Sequence, residues 1–438
     1  MRRTLLALGA VLIVMPLSLF ALTLIQERTW GGANHDEANE VAFGSDGSVY
    51  VAGTTLSADG DFDAFLLKYG PDRSLEWERT YGTPLSQENG FDDEFAAGLA
   101  VASDGSVYLT GQLGTGVLFL AKFSSGGDLL WDSTWGENGT ISTGAAIGAD
   151  GSIYVSGLSF VVDEDNDTEA LLLKFEPDGD VAWARAWGGT GFDAARAVAV
   201  GSDGVYIAGE TNSFFANDAF VAKFTFGGDL VWARDWGVDG IQAPFTGLTA
   251  AYGIATDGAG GVYITGNTFD SGLAKNIILV KFNAGGDLIW EKVGGPGFGA
   301  GLDVAVSLDN SAVFVSGNVI SDDPDLLGGH AFVAEFTSSG KAKKASTWGG
   351  SFDDSASAES VVVGPAGLVI TAGVAGPGPY EFGRASNSAK APAAHLIVID
   401  TSHVVSLTTA LGADEGQLLV PDAAVGGATD AFTLWLQR

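Results

Sequence analysis

The chain has 438 residues, and its 64 glycines make glycine about twice as frequent as in an average protein. Acidic side chains number 54 against 21 basic ones, and the formal net charge of −33 excludes an extended nucleic-acid-binding surface. Hydrophobic residues make up 46%, enough for a large core, and the absence of cysteine excludes disulfides, thiolate metal sites and cysteine nucleophiles.

The N-terminus has the pattern of an export signal. Arg2 and Arg3 precede an apolar run from Leu5 to Ala21, as in the charged and apolar regions of a secretory signal peptide. Extended to Ile25, the run is also about long enough to cross a bilayer, so an uncleaved anchor is the alternative. We assign residues 1–23 to a signal peptide or N-terminal membrane anchor and residues 24–438 to a single domain that is secreted or held at the cell surface.

The rest of the chain is built from repeats of about 50 residues. Each unit carries the signature Asp-Gly-x-Val-Tyr-x-x-Gly, or a variant of it, and most units follow it with Lys-(Phe/Tyr) and then tryptophan. The aromatic residue of the signature recurs at Tyr50, Tyr108, Tyr154, Tyr206, Tyr263 and Phe314, and Val369 takes its place in a seventh instance.

Each unit contains four short apolar or alternating segments that end at Gly, Asp or Pro, and no helical periodicity is sustained. The Asp-Gly pairs lie between the first and second segments, where a tight hairpin needs residues that accept positive φ. This pattern predicts an all-β fold, a β-propeller of four-stranded antiparallel blades. The first segment of each unit is rich in Ala, Gly and Val, and we expect it to lie nearest the axis.

The C-terminal region bears on the number of blades. Asp430-Ala431-Phe432 matches the third strand of earlier units, and residues 24–31 match the fourth strand, as at 75–82. An N-terminal strand that completes the last blade would close the ring and cover its edges. This arrangement gives eight blades, the count we prefer; seven blades with an appended terminal hairpin is the alternative.

Units such as 187–200, followed by 203–209 and 218–224, resemble the SBBP family of bacterial and archaeal β-propeller repeats. The resemblance extends over nearly everything after the export segment. It implies a secreted or surface-attached propeller and carries over no catalytic residue. The Gly-x-(Leu/Val)-x-Trp segments are also similar to the repeats of quinoprotein-like eight-bladed propellers, but the cysteine pair that often lines their cofactor pockets is absent here.

Long connections are predicted on only one face of the ring, the face that bears the two-to-three loops and the blade-to-blade connections. One of these loops alternates acidic residues at Asp163, Asp165, Asp167 and Glu169, which offers oxygen ligands for Ca2+. The loop lacks the glycine and the final glutamate of an EF-hand, so only a simpler calcium site is expected there. A solvated acidic loop is the alternative interpretation.

The function predicted from these features is a non-enzymatic extracellular or cell-surface propeller that binds a protein or glycan through its long-loop face. Its four histidines fall at unrelated places in the repeat, and we identify no catalytic or organic-cofactor-binding residue. A metal- or quinone-dependent propeller enzyme and a purely architectural envelope protein are the alternatives. We expect a monomer that binds no nucleic acid and touches a membrane only through an uncleaved N-terminal segment.

Overall fold

The computed structural model describes residues 23–31, 34–57, 60–82, 93–114, 116–137, 139–160, 167–213, 218–237, 249–269, 275–295, 298–320, 329–349, 355–364, 367–376 and 393–400. Within these residues the protein is an all-β propeller, as the repeats predict. None of the described segments forms a helix that is long and apolar enough to cross a membrane.

The residues that the structure describes form twenty-eight strands, which follow the repeat along the chain. They are β1 (Thr23–Trp30), β2 (Asp36–Phe43), β3 (Val49–Leu56), β4 (Phe62–Tyr69), β5 (Leu75–Tyr81), β6 (Glu94–Val101), β7 (Val107–Leu113), β8 (Val117–Phe123), β9 (Leu129–Trp135), β10 (Thr140–Ile147), β11 (Ile153–Phe160), β12 (Thr168–Phe175), β13 (Val181–Trp187), β14 (Asp193–Gly201), β15 (Gly204–Thr211), β16 (Asp218–Phe224), β17 (Leu230–Trp236), β18 (Thr249–Thr256), β19 (Val262–Phe269), β20 (Lys275–Phe282), β21 (Leu288–Gly294), β22 (Phe298–Val306), β23 (Ala312–Ile320), β24 (Gly329–Thr337), β25 (Ala342–Gly349), β26 (Ser355–Val363), β27 (Leu368–Gly376) and β28 (Ala393–Asp400).

Five four-stranded antiparallel blades stand as separate sheets: β2–β5, β6–β9, β10–β13, β14–β17, and β26–β28 with β1. Strands β18–β25 form one eight-stranded sheet. It consists of two antiparallel meanders, β18–β21 and β22–β25, that are joined by the single parallel pair Lys275–Phe298. The described residues therefore do not show the eight separate blades that we expected.

The N-terminal strand does complete a sheet, but its partner differs from the predicted one. β1 pairs antiparallel with β28 along its whole length, from Thr23 opposite Asp400 to Trp30 opposite Ala394. We expected a strand at 430–432 in this place, and residues 401–438 lie outside the described part of the chain. The predicted partner of β1 was wrong. Strands β26–β28 form a three-stranded sheet, and β1 supplies its fourth strand.

Apolar side chains fill the spaces between successive sheets. The central residues of the second and third strands, such as Val155 and Leu173, are fully buried. One cluster joins β2–β4 to β27 and β28 through Phe65, Ile370 and Leu396, so the last blade packs against the first. The first strands β2, β6, β10, β14, β18, β22 and β26 contact one another in this order, and β26 contacts β2. They therefore surround the axis of a closed ring.

Candidate functional site

Each of these first strands contains a β-bulge at the same place. The register shifts by one residue, and the extra residue has no direct partner on the second strand. The bulge residues are Asn39, Ala97, Thr143, Arg196, Tyr252, Leu302 and Glu359. All seven keep partial solvent exposure although they lie on the innermost strands. Their side chains therefore line the central channel, in the half of each strand nearer the long connections.

The last glycine of the repeat signature makes room for the bulge. A Cβ on Gly209 would lie 1.8 Å from the carbonyl oxygen of Ala194, just before the bulge at Arg196. The equivalent distance at the other signature glycines is 1.8–2.2 Å; these are Gly53, Gly111, Gly157, Gly266, Gly317 and Gly373. Because any side chain would collide with the first strand, this position needs glycine, and the glycine marks which residue faces the channel.

One part of the channel wall carries a charged pair and a phenol. The Nε of Arg196 donates a hydrogen bond of 2.9 Å to Oε1 of Glu210 on β15, and a second guanidinium nitrogen contacts the same oxygen. Burial and the charge of Glu210 raise the pKa of Tyr252, and the charge of Arg196 opposes this shift. The three side chains therefore face one another and offer a cation, hydrogen-bond donors and carboxylate oxygens within one region.

The first strands β22, β26 and β2 bring two carboxyl groups to one hydroxyl. Oγ of Ser360 lies 2.6 Å from Oε1 of Glu40 and 3.0 Å from Oδ2 of Asp303. Burial, followed by the charge of Asp303, raises the pKa of Glu40 to about 8. Burial also raises the pKa of Asp303 to about 6, against hydrogen bonds donated by the backbone of Val361 and Val304.

A third acidic residue with a raised pKa is Glu359, the bulge residue of β26. Burial raises the pKa of Glu359 to about 7, with a smaller contribution from the charge of Glu37 on β2. The bulge residue of β2, Asn39, has a buried Oδ1 that accepts no hydrogen bond from the described residues. This part of the wall is thus a group of polar side chains whose charges depend strongly on pH.

These polar residues on the first strands were not predicted from the sequence. We expected Ala, Gly and Val around the axis, and the apolar pattern of the first strands hid Glu40, Arg196, Asp303 and Glu359. After the bulge, the side chains that would have faced one side of the strand face the other. A prediction that assumes strict alternation along the strand therefore assigns these residues to the wrong face. The signature glycine was the available signal, since each channel residue precedes it by thirteen to fifteen positions.

A separate acidic group lies between the first two blades, where the long connections meet the strands. Asp61, Asp63 and Glu94 each offer a carboxylate oxygen, and these oxygens lie within 4.8 Å of one another. Asp61 and Glu94 are buried. Three carboxylates at this spacing match the oxygen ligands that Ca2+ prefers. This group was not predicted either, because Glu94 is distant from the other two residues along the chain.

The residues that the sequence predicted for calcium are only partly described. Asp163 and Asp165 lie outside the described residues, while Asp167 accepts a hydrogen bond of 2.9 Å from the backbone of Gly191. Burial and the charges of Asp193 and Asp167 raise the pKa of Glu169. The structure therefore adds Asp193, from the next blade, to the neighbourhood of Asp167 and Glu169, and the calcium site there stays a prediction.

No protein-family model matches this chain, and no curated protein is a significant match to its sequence.

The fold of this chain is similar to several solved structures. Hydrazine synthase of Kuenenia stuttgartiensis aligns at a TM-score of 0.50 and 10% identity, over 76% of this chain and 92% of that one. A chain of a mitotic checkpoint complex aligns at 0.52 and 12%, over 91% and 98%. An ulvan lyase from a new family of polysaccharide lyases aligns at 0.50 and 12%, over 79% and 93%. At these identities the similarity shows the propeller fold alone.

Proposed function

We propose that this chain is an exported, non-enzymatic propeller, secreted or held at the cell surface, that binds a protein or glycan through the face with the long connections. The observation that carries the proposal is the polar lining of the channel. Arg196, Tyr252 and Glu359 project inward from bulges in the half of the ring nearer that face. A rigid ring with polar groups at the centre of one loop-bearing face is a suitable scaffold for recognition.

The ligand class follows from the kinds of groups available. The channel offers the guanidinium of Arg196, the phenol of Tyr252 and the carboxyl of Glu359, a mixture that matches hydroxyl-rich or peptide-like ligands. A polyanion is disfavoured by the net charge of −33 and by the pairing of Arg196 with Glu210. Resemblance to the SBBP repeats supports the extracellular assignment, which rests otherwise on the N-terminal pattern.

A second candidate is an enzyme with its active centre in the channel. It is favoured by carboxyl groups whose surroundings raise their pKa values to different extents, namely Glu40, Glu359 and Asp303. In many active sites the surroundings likewise give the general acid and the general base different pKa values. We prefer the binding function because Glu40 and Asp303 are already bonded to Ser360, which leaves fewer groups free for a substrate.

We also propose that the ring has seven blades. Each half of the eight-stranded sheet is an antiparallel meander like the five separate blades, and one residue pair joins the halves. A hydrophobic cluster lies between these halves, as between the other neighbouring sheets, and includes Val304, Phe332 and Leu279. The parallel pair is then a contact between adjacent blades, and not a merger of two blades into one.

Binding is tested with the secreted protein on a printed glycan array and on a panel of surface-protein peptides. The variant Arg196→Met with Glu210→Gln removes both charges together, so that neither is left buried alone. We expect at least tenfold weaker binding for this variant. A control variant, Asp104→Asn, changes an acidic residue in a tight turn on the other face and should bind normally. Equal binding by all three proteins would contradict a role for the channel.

A further inference from the structure

The contacts of Ser360 require more protons than a hydroxyl can supply. Its Oγ contacts carboxyl oxygens of Glu40 at 2.6 Å and Asp303 at 3.0 Å, and it also accepts a hydrogen bond of 3.4 Å from the backbone of Val41. A serine hydroxyl has one proton to donate. If both carboxyl groups were ionised, one of the two contacts would bring lone pairs together. One of the two carboxyl groups must therefore carry a proton.

The surroundings identify Glu40 as the group that holds this proton. Oδ2 of Asp303 accepts a hydrogen bond of 2.8 Å from the backbone of Val361, and Oδ1 accepts one of 2.7 Å from Val304. These bonds stabilise ionised Asp303. Glu40 is then the acid that donates to Ser360, while Ser360 donates to Asp303. The pKa of Glu40, raised further than that of Asp303, agrees with this assignment.

The three residues belong to consecutive first strands at the place where the chain closes on itself. Asp303 lies on β22, Ser360 on β26 and Glu40 on β2, and β26 is part of the sheet that the N-terminal strand completes. We propose that a proton-dependent bridge from Glu40 through Ser360 to Asp303 fastens the ring at its closure, and that the closure weakens when this proton is lost. This inference is independent of the ligand proposed above.

The neighbouring groups do not compensate for the lost proton. The other carboxyl groups on these three strands are Glu359 on β26 and Asp36 and Glu37 on β2, and Glu37 contacts His35 at 3.4 Å. From β18 the nearest titratable side chain is Tyr252, since Gly253 packs directly against Asp303. Strands β6 and β27 contribute no charged side chain beside the bridge. In the part of the chain that the structure describes, no lysine or arginine forms an ion pair with Glu40 or Asp303.

Unfolding of the full chain by urea at pH 6 to 9 tests the bridge. Native Glu40 keeps its proton to a higher pH than unfolded Glu40, so the native state binds more protons and stability falls as pH rises. Between pH 7 and 8 we expect the unfolding equilibrium constant to increase by up to about tenfold per pH unit. Glu40→Gln carries a permanent neutral donor and should remove this increase, whereas the exposed control Asp128→Asn should keep it.

If the stability of the wild type and of Glu40→Gln fell by the same amount as the pH is raised, the proposal would be overturned. Infrared spectroscopy of the wild type gives a second test that needs no variant to fold. At pH 8, where Glu359 is mostly ionised, the native protein must still show the carbonyl stretch of a protonated carboxylic acid, and this band must fade as the pH is raised further. A native protein at pH 8 with only ionised carboxylates would also overturn the proposal.

Discussion

The Nε of Arg185 donates a hydrogen bond of 2.8 Å to the carbonyl oxygen of Gly228, which lies in a turn of the next blade. The guanidinium also lies over the ring of Trp183 on its own strand, with 5.2 Å between the Arg185 Cζ and the ring centroid. The same arrangement joins Arg79 to Gly127 and Arg234 to Gly286. The outermost strand of one unit thus holds the turn of the next, which ties neighbouring sheets together without a disulfide.

Replacement of Arg185 by methionine should weaken this link between blades. The variant keeps an apolar stem over Trp183 but loses the charge-assisted bonds to the turn, so we expect the free energy of unfolding to fall by about 1–2 kcal/mol. Chemical denaturation measures this change. Lys341→Met removes an exposed cation elsewhere and serves as the control. If the free energy of unfolding fell equally in both variants, the change in net charge would explain the effect, and the link between blades would not.

Gly209 tests the link between the repeat signature and the channel. A methyl group at this position would collide with the carbonyl oxygen of Ala194, so Gly209→Ala must displace the first strand and the bulge at Arg196. We expect a loss of more than about 2 kcal/mol in unfolding free energy and a weakened Arg196–Glu210 pair. Gly227→Ala is the matched control, because its new Cβ would meet only an ordinary contact of 3.6 Å. Similar stability of the two variants would contradict the steric argument.

The propeller fold could be predicted from the sequence because its signals are local. The Asp-Gly turns, such as the one at Gly47, and the buried aromatic residues, such as Tyr50, recur in each unit and fix strand boundaries without any knowledge of distant contacts. The strand that pairs with β1 could not be predicted in the same way, since several strands of the repeats offer a similar edge for pairing. Pairing with β28 depends on which sheet lacks a fourth strand, and this is a property of the whole ring.

The channel was mispredicted for a different physical reason. A bulge adds one residue to a strand, and every later side chain then changes face. Glu40 and Asp303 follow their bulges directly and meet across the first strands, although 263 positions separate their numbers. A pair so distant in sequence leaves no local signature, and the acidic group of Asp61, Asp63 and Glu94 was overlooked for the same reason.

The N-terminal strand is expected to be essential for a closed ring. Trp30 packs on Phe65 of the first blade with ring centroids 4.3 Å apart, and its Nε1 donates a hydrogen bond of 2.8 Å to Glu78. Deletion of residues 24–31 would expose the edge of β28 and remove this contact, so most of the thermal stability should be lost.

Thermal unfolding measures the effect of the deletion, and a synthetic peptide of residues 23–31 provides the control. If β1 acts only by pairing with β28 and packing on Phe65, the peptide added in excess should restore part of the melting temperature. A deletion protein that melts at the wild-type temperature would disprove the closure.

Calcium should stabilise the protein through carboxylates on the long-loop face. With a dissociation constant of about 1 mM, as in many extracellular sites, 10 mM Ca2+ would add about 1.4 kcal/mol to the free energy of unfolding. We expect a higher melting temperature in calcium than in EDTA.

Asp63→Asn should abolish this shift if Asp61, Asp63 and Glu94 bind the ion, because one of the ligands then loses its charge. Asp167→Asn should abolish it instead if the ion binds in the loop of Asp163, Asp165 and Glu169. Magnesium at the same concentration controls for general screening of the acidic surface, and an equal shift with both ions would reject a calcium site.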